Sequence, residues 1–169
     1  MHKKIISGLL VINLLLGGCS LPLIANSQSE NPPPTPGQML PITAQAKIGQ
    51  EVIELEVAST PEQQALGLMF RSSLGDNRGM LFPFDQPRYP QFWMKNVLIP
   101  LDMIFLKDGV VQAVFFNVPG CQADPCPIYA PNKLVDMVIE LRGGRAQELA
   151  VKVGDTIPRK FLQLPKKSG

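Results

Sequence analysis

Histidine is almost absent from this chain of 169 residues, which has only His2. His2 lies in an N-terminal segment with the features of an export signal, and such a segment is removed from the mature protein. The mature protein is therefore predicted to have no imidazole. This excludes histidine-assisted serine or cysteine nucleophiles and removes the usual nitrogen ligands of zinc, copper and non-haem iron. No catalytic residue, metal or cofactor is assigned from the sequence.

An excess of positive charge is lacking as well. The chain has 16 Lys and Arg against 14 Asp and Glu. Because Lys3 and Lys4 belong to the N-terminal segment, the remainder is formally neutral. Basic residues gather only at the C-terminus, where residues 159–169 are predicted to form a solvated basic tail. We therefore expect no nucleic-acid partner.

The longest largely apolar run, residues 5–16, is too short to cross a bilayer of ~30 Å. Its length and the lysines before it are typical of a signal peptide, which we assign to residues 1–18. The following Leu16-Gly17-Gly18-Cys19 resembles a bacterial lipobox, and Cys19 is predicted to be lipidated and to anchor the chain. A non-lipidated signal or an inserted anchor helix is the alternative. The prediction places the protein in the cell envelope, on the extracytoplasmic side of a membrane.

Cysteine is scarce, with three residues in the chain. If Cys19 carries lipid, only Cys121 and Cys126 remain, and exported thiols are normally oxidised. We therefore predict a structural disulfide between them. A redox or metal role is the alternative, although redox-active pairs favour a C-x-x-C spacing.

The segment after Cys19 has the composition of a tether. Residues 20–41 are rich in Pro, Ser, Asn and Gln, a composition that favours extended chain over a packed core. Residues 19–43 are accordingly predicted to be the lipidated cysteine and a proline-rich tether. Residues 44–158 are predicted to form one domain.

The domain is predicted to be mainly β. Residues 51–58 alternate, with Ile53 and Leu55 on a buried face and Glu54 and Glu56 on an exposed one. Further strands are predicted at residues 79–84, where Pro83 requires an edge, a bulge or a strand end, and at 91–96, 101–106, 110–118, 133–141 and 155–157. The turn at residues 107–109 makes 101–118 a hairpin, whose second strand is predicted to be central.

Two short helices complete the predicted fold. Thr60 is an expected N-cap, Pro61 fits the first helical position, and Gln63 completes a capping box, so a helix is predicted to run to about Phe70. A helical turn is predicted at residues 146–150. The fold class is thus mainly β with two short helices (α+β), a compact and mostly antiparallel sheet or barrel-like domain.

Several motifs in order resemble the DUF192 family, also called UPF0127 or COG1430, over about residues 44–158. They are Gly67-Leu68-Met69-Phe70-Arg71, Gly79-Met80-Leu81-Phe82, Phe92-Trp93-Met94-Lys95-Asn96, Pro100-Leu101-Asp102 and Gly154-Asp155. The resemblance implies a compact, mainly antiparallel β fold with short helices, often exported or lipid-anchored. It implies no established reaction and so gives no catalytic residues to transfer.

The candidate ligand surface consists of Trp93, Lys95, Asn96, Asp102 and Arg71. Trp93 offers a flat face to a sugar or a cation, and a desolvated Lys95 can act as a base. The alternative is structural: Lys95 pairs with Asp102 across a turn, Asn96 bonds the backbone, and Trp93 covers one end of the core. On the first interpretation the protein is a non-catalytic binding or envelope-interaction module.

A hydrolase or sugar-processing enzyme that works without histidine is the competing interpretation. It requires Asp102 to act with Glu140 or with Lys95, because two neighbouring carboxyl groups can divide the roles of acid and base. The predicted partners are a membrane, through the lipid anchor, and an unknown envelope protein or glycan.

Overall fold

The computed structural model describes residues 37–162. The predictions for the signal, for Cys19 and for most of the tether therefore lie outside the described residues, as does the end of the predicted tail. The helices and strands of the described part follow in this order: β1 (Ile42–Ile48), β2 (Glu51–Val57), α1 (Pro61–Leu66), β3 (Arg78–Arg88), β4 (Phe92–Trp93), β5 (Leu101–Lys107), β6 (Val110–Val118), β7 (Ile128–Tyr129), β8 (Val135–Arg142), α2 (Arg145–Glu148) and β9 (Arg159–Phe161). Neither helix has the length and apolar character needed to cross a bilayer.

Seven strands form one mixed sheet in the order β6-β5-β8-β3-β2-β1-β9, and β4 pairs with β7 in a small second sheet. Neighbouring strands are antiparallel except for β2 and β3, which are parallel. The mainly β prediction with two short helices is confirmed. The sheet is not a closed barrel in the described residues, because β6 and β9 do not pair and only an isolated bridge joins Val110 of β6 to Thr156.

Apolar layers cover both faces of the large sheet. One face packs on α2 and the chain that follows it, with Ile53, Leu55, Ile104, Ile139 and Ala146 buried together. The other face packs on the turn after α1 and on β4, with Leu68, Met80, Phe82, Met103, Phe105 and Val138 buried together. Each strand of the middle of the sheet is therefore buried on both sides.

This double covering corrects the prediction that Glu56 is exposed. The alternation in β2 is as predicted, but Glu56 is only 1% exposed and forms a salt bridge with Arg71, whose Nη2 lies 2.5 Å from Glu56 Oε2. Arg71 also donates to the carbonyl oxygen of Gln38, and the backbone N–H of Leu40 donates to Glu56 Oε2. The ion pair thus ties the start of the described chain to the sheet.

The local signals around α1 are largely confirmed. The side chain of Thr60 accepts a hydrogen bond from the backbone N–H of Gln63, whose own side chain accepts one from the backbone of Thr60. The helix ends at Leu66, four residues before the predicted end, because Gly67 adopts a positive φ of 49° that an α-helix does not allow.

Some strands differ from those predicted. The 110–118 strand, predicted to be central, is the edge strand β6, because β5 pairs with β8 on its other side. β1 was absent from the predicted elements. Thr156 makes only an isolated bridge, whereas β9 lies within the segment assigned to the tail and pairs with β1. Pro83 lies at an irregularity in the β3–β8 pairing, as a strand proline should.

Cys121 and Cys126 form the predicted disulfide, with their Sγ atoms 2.08 Å apart. The loop that they close lies beside β4, because Cys121 exchanges backbone hydrogen bonds with Met94 and Asn96. The disulfide loop is thereby fixed next to Trp93 and Lys95.

Candidate functional site

A cleft of about 400 Å³ lies between α1 and the sheet, and we call it the α1 cleft. Its volume is at the lower end of the range for small-molecule sites. It is lined by Pro61, Gln64, Ala65, Leu66, Gly67, Leu68, Met69, Phe82, Phe84, Arg88, Gln91, Phe92, Trp93, Val97 and Glu140. Apolar side chains dominate this lining, as is usual for sites that bind small ligands.

Aromatic rings form one side of the α1 cleft. Phe82 and Phe84 come from β3, and Phe92 and Trp93 come from β4. The Phe82 and Phe92 rings meet edge to face at 5.4 Å between centroids, which fixes both rings. Trp93 remains 46% exposed, so its indole is available at the mouth of the cleft.

One acidic side chain, Glu140 of β8, lines this apolar cleft. It is 5% exposed, and its strand neighbours are Met80 in β3 and Met103 in β5, both fully buried. Paired residues on adjacent strands point to the same face, so Glu140 stands between two methionine side chains. Among residues 37–162, no group donates a hydrogen bond to its carboxyl. Its oxygen atoms are not sealed from the cleft, since the fully buried side-chain oxygen that lacks a hydrogen-bond partner in the described residues is Asp136 Oδ1.

Burial raises the pKa of Glu140 to about 8, since the carboxylate form would lose its hydration without gaining a partner. At neutral pH this residue is therefore mainly a neutral carboxylic acid. A neutral carboxyl can donate one hydrogen bond and accept others, whereas the ionised form only accepts. A shifted acid in a cleft is a recognised mark of functional sites.

Two other polar side chains of the cleft, Gln64 and Arg88, are engaged by the protein itself. Gln64 Nε2 donates to the carbonyl oxygens of Ala58, at 3.1 Å, and Pro83, at 2.8 Å. Arg88 Nη2 donates to Gln64 Oε1 at 3.4 Å, and the Arg88 guanidinium lies 3.8 Å from the centroid of the Phe84 ring. Gln91 and Trp93 are exposed and make no side-chain hydrogen bond within residues 37–162, so Glu140 is the buried polar group of the cleft that can meet a ligand.

Trp93, Lys95 and Asn96 lie together, as their sequence positions require. Lys95 Nζ lies 5.7 Å from the centroid of the Trp93 ring and 2.6 Å from Oδ2 of Asp124 in the disulfide loop. The alternative in which Lys95 pairs with Asp102 is therefore wrong. Asn96, at a positive φ of 57°, bonds through its backbone to Phe70 and Cys121.

Arg71 and Asp102 are not part of that surface. Arg71 is buried against Glu56. Asp102 is fully buried, and its carboxylate accepts from the backbone N–H groups of Asn117, Gly144 and Ala146 at 2.6 to 2.9 Å. Both side chains therefore hold the fold together, Arg71 through an ion pair and Asp102 by tying α2 to the sheet.

Asp102 and Glu140 do not form a pair of carboxyl groups. In the pairing of β5 with β8, Asp102 is opposite Leu141, and Met103 is opposite Glu140. Because successive residues of a strand point to opposite faces, Asp102 and Glu140 lie on opposite sides of the sheet. The enzyme hypothesis that pairs these two residues is wrong for this structure. Lys95, which bonds to Asp124, is no partner for Asp102 either.

The sequence indicated Glu140 and Trp93 but not the cleft that contains them. The signal for Glu140 was a single acid in the otherwise apolar run VIEL. No such signal marked Phe82 and Phe84, because an aromatic residue in a strand is typical of an ordinary core. Arg88 had no such signal either.

The DUF192 family model, described as "Uncharacterized ACR, COG1430", matches residues 43–158. A crystal structure of a protein of unknown function from Novosphingobium aromaticivorans DSM 12444 is 34% identical, with a TM-score of 0.62, over 69% of this chain and 83% of the other. A protein from Sinorhizobium meliloti 1021, described as a "putative transcription regulator", is 32% identical, with a TM-score of 0.61, over 69% and 91%. Comparison with curated protein sequences gave no match.

Proposed function

The chain belongs to the uncharacterised DUF192 family, and on that premise we propose that it is a lipid-anchored binding module of the cell envelope whose ligand site is the α1 cleft. The observation that carries the proposal is the carboxyl of Glu140, which opens into an apolar cleft and has no hydrogen-bond partner among residues 37–162. A carboxyl group in an apolar cleft without a hydrogen-bond partner lowers the stability of the fold. A ligand that forms a hydrogen bond with this carboxyl removes that cost.

A binding role agrees better with the cleft than a catalytic one. Acid–base hydrolysis needs a second ionisable group near the first. Arg88 is the other ionisable side chain that lines the cleft in the described part of the chain. Its guanidinium lies over the Phe84 ring and donates a hydrogen bond to Gln64. The proposed role is therefore non-catalytic.

The site of action proposed for the module is the extracytoplasmic side of a membrane. The lipobox at Cys19 supports the anchor, and the disulfide between Cys121 and Cys126 agrees with an oxidising compartment. An envelope protein or glycan as partner, and the lack of a nucleic-acid partner, remain predictions from the sequence.

Lipidation is tested by metabolic labelling of expressing bacteria with a palmitate analogue. The wild-type protein should incorporate the label and lose the mass of residues 1–18, whereas Cys19→Ser should remain unlabelled. The matched control is the pair of Cys121→Ser and Cys126→Ser, which should be labelled like the wild type. Equal labelling of wild type and Cys19→Ser would contradict the anchor.

The ligand site is tested by a thermal-shift screen of small apolar compounds against the purified protein. A compound that binds only the folded state should raise the unfolding temperature, and at 100 times its Kd the gain is about 2.7 kcal/mol. Ala65→Phe should abolish the shift, because Ala65 is an exposed residue of α1 that lines the cleft. Glu62→Phe, at an exposed position of α1 that does not line the cleft, should leave the thermal shift unchanged. If a compound raises the unfolding temperature of Ala65→Phe as much as that of the wild type, it binds outside the α1 cleft.

A further inference from the structure

Beside Glu140 the α1 cleft offers no free hydrogen-bond donor among the described residues, whereas the donors of Arg88, Gln91 and Trp93 lie on its exposed side. The carboxyl of Glu140 stands between Met80 and Met103, and the amide hydrogens of Gln64 are used by the carbonyl groups of Ala58 and Pro83. An anionic group placed beside Glu140 would meet a carboxyl, and its burial would not be compensated. This part of the cleft therefore favours a ligand group that donates hydrogen bonds.

Aromatic rings line one side of the same space. Phe82, Phe84, Phe92 and Trp93 all line the cleft. The electron-rich faces of such rings attract cations, most strongly when the site is desolvated. Lys95 over Trp93 and Arg88 over Phe84 already show this interaction at the rim. A buried carboxyl together with aromatic walls is the arrangement that suits an organic cation.

We propose that the α1 cleft binds a protonated amine carried on an aromatic or short aliphatic body, with the ammonium group at Glu140 and the apolar body against Phe92 and Trp93. This inference rests on the proposed function of the cleft and names its ligand class. The cleft volume of about 400 Å³ limits the ligand to a small molecule.

Binding of a protonated amine at Glu140 releases one proton to the buffer. Glu140 is mainly protonated in the free protein at neutral pH, so the ion pair forms when its carboxyl proton passes to the buffer while the ammonium keeps its own. The affinity for an amine should therefore rise with pH by up to about tenfold per unit below pH 8. A neutral ligand should show no such rise.

Other charged groups on this face of the sheet have partners. They are Glu56 with Arg71, Arg78 with Glu54, Arg88 over Phe84, Asp136 near Lys107, and Arg142 with Asp76 and Glu148. Of these, only Arg88 lines the cleft. Glu140 is therefore the group whose titration a cleft ligand should change.

Trp93 provides a specific probe, because it is the only tryptophan of the chain and it lines the cleft. The fluorescence of the full-length protein in non-ionic detergent is titrated at pH 6, 7 and 8 with three compounds of similar shape. Phenethylammonium is the cation, 2-phenylethanol is neutral, and 3-phenylpropionate is the anion. We expect phenethylammonium to bind most tightly, with the pH dependence described above.

Glu140→Gln is the matched variant, since it keeps the size and hydrogen-bonding groups of the side chain but not its charge. It should weaken phenethylammonium binding at pH 8 by at least about tenfold, because hydrogen bonds to charged groups contribute about 1.5–3 kcal/mol. It should change 2-phenylethanol binding little. Near-ultraviolet circular dichroism checks its fold, and Glu140→Asp should retain the pH dependence.

Each outcome bears on one of the two proposals. If 2-phenylethanol or 3-phenylpropionate binds more tightly than the amine, or if Glu140→Gln leaves amine binding unchanged, the cation inference is overturned while the ligand site remains. If none of the three compounds alters Trp93 fluorescence in the wild type, the cleft is not a site for ligands of this size, and the proposed function fails as well.

Discussion

The free energy of unfolding is expected to fall by roughly 3 to 4 kcal/mol between about pH 5 and pH 8, and Glu140→Gln should remove most of this fall. The pKa of Glu140 is raised from 4.5 to about 8 by burial. Between these two values the folded protein keeps a proton that the unfolded chain has lost. Because the folded state then binds more protons, its stability decreases as pH rises, and it levels off above pH 8.

Urea denaturation at several pH values measures this dependence. The window is suitable because the single histidine, His2, belongs to the segment predicted to be removed with the signal. The other shifted carboxyl groups, those of Glu56, Glu62, Asp108 and Glu148, have lowered pKa values. The matched control is Glu54→Gln, an exchange of a half-exposed glutamate in β2. If the free energy of unfolding changes with pH in the same way in the wild type and in Glu140→Gln, Glu140 is ionised in the folded protein.

Arg71→Met is expected to destabilise the protein by about 3–5 kcal/mol, because it leaves the buried Glu56 carboxylate without its main partner. Burial alone raises the pKa of Glu56, but the hydrogen bond from Arg71, the hydrogen bond from Leu40 and the charges of Arg71 and Arg78 outweigh it and lower the pKa below 4.5. In the wild type, the stability from this group is present above that value and is lost as pH falls through the lowered pKa.

The control for Arg71→Met is Arg78→Met, which removes a second cation from the same carboxylate. Arg78 Nη2 lies 3.7 Å from Glu56 Oε1 and is 37% exposed, so its loss should cost less than about 1 kcal/mol. Chemical denaturation at pH 7 compares the two. The Arg71→Met penalty should shrink at acid pH as Glu56 becomes protonated. Equal effects of the two substitutions would show that the buried ion pair contributes no special stability.

Features encoded by neighbouring residues were predictable from the sequence. The capping box of Thr60 and Gln63 and the hairpin turn at residues 107–109 depend on contacts within a few positions. The alternation of β2 was also predicted, but not the burial of Glu56. That burial depends on Arg71 and on a second covering layer, which the pattern of one strand does not reveal.

Non-local contacts account for most of the remainder. Lys95 has its partner Asp124 in the disulfide loop, 29 residues away, and the α1 cleft joins α1, β3, β4 and β8. β1 was missed because its buried positions include Ala44 and Ala46, and alanine is a weak strand former. The apolar sequence of a strand such as β6 does not distinguish a central position from an edge position when the sheet is covered on both faces.

The most direct test of a ligand-binding acid in the α1 cleft is the titration of the Glu140 side-chain carboxyl by carbon-13 NMR, with Glu140→Gln to assign the signal. The account predicts a midpoint near pH 8 in the free protein and a midpoint at least one unit lower when phenethylammonium is saturating. A midpoint below about pH 5 in the free protein, or one that the amine does not move, would contradict it.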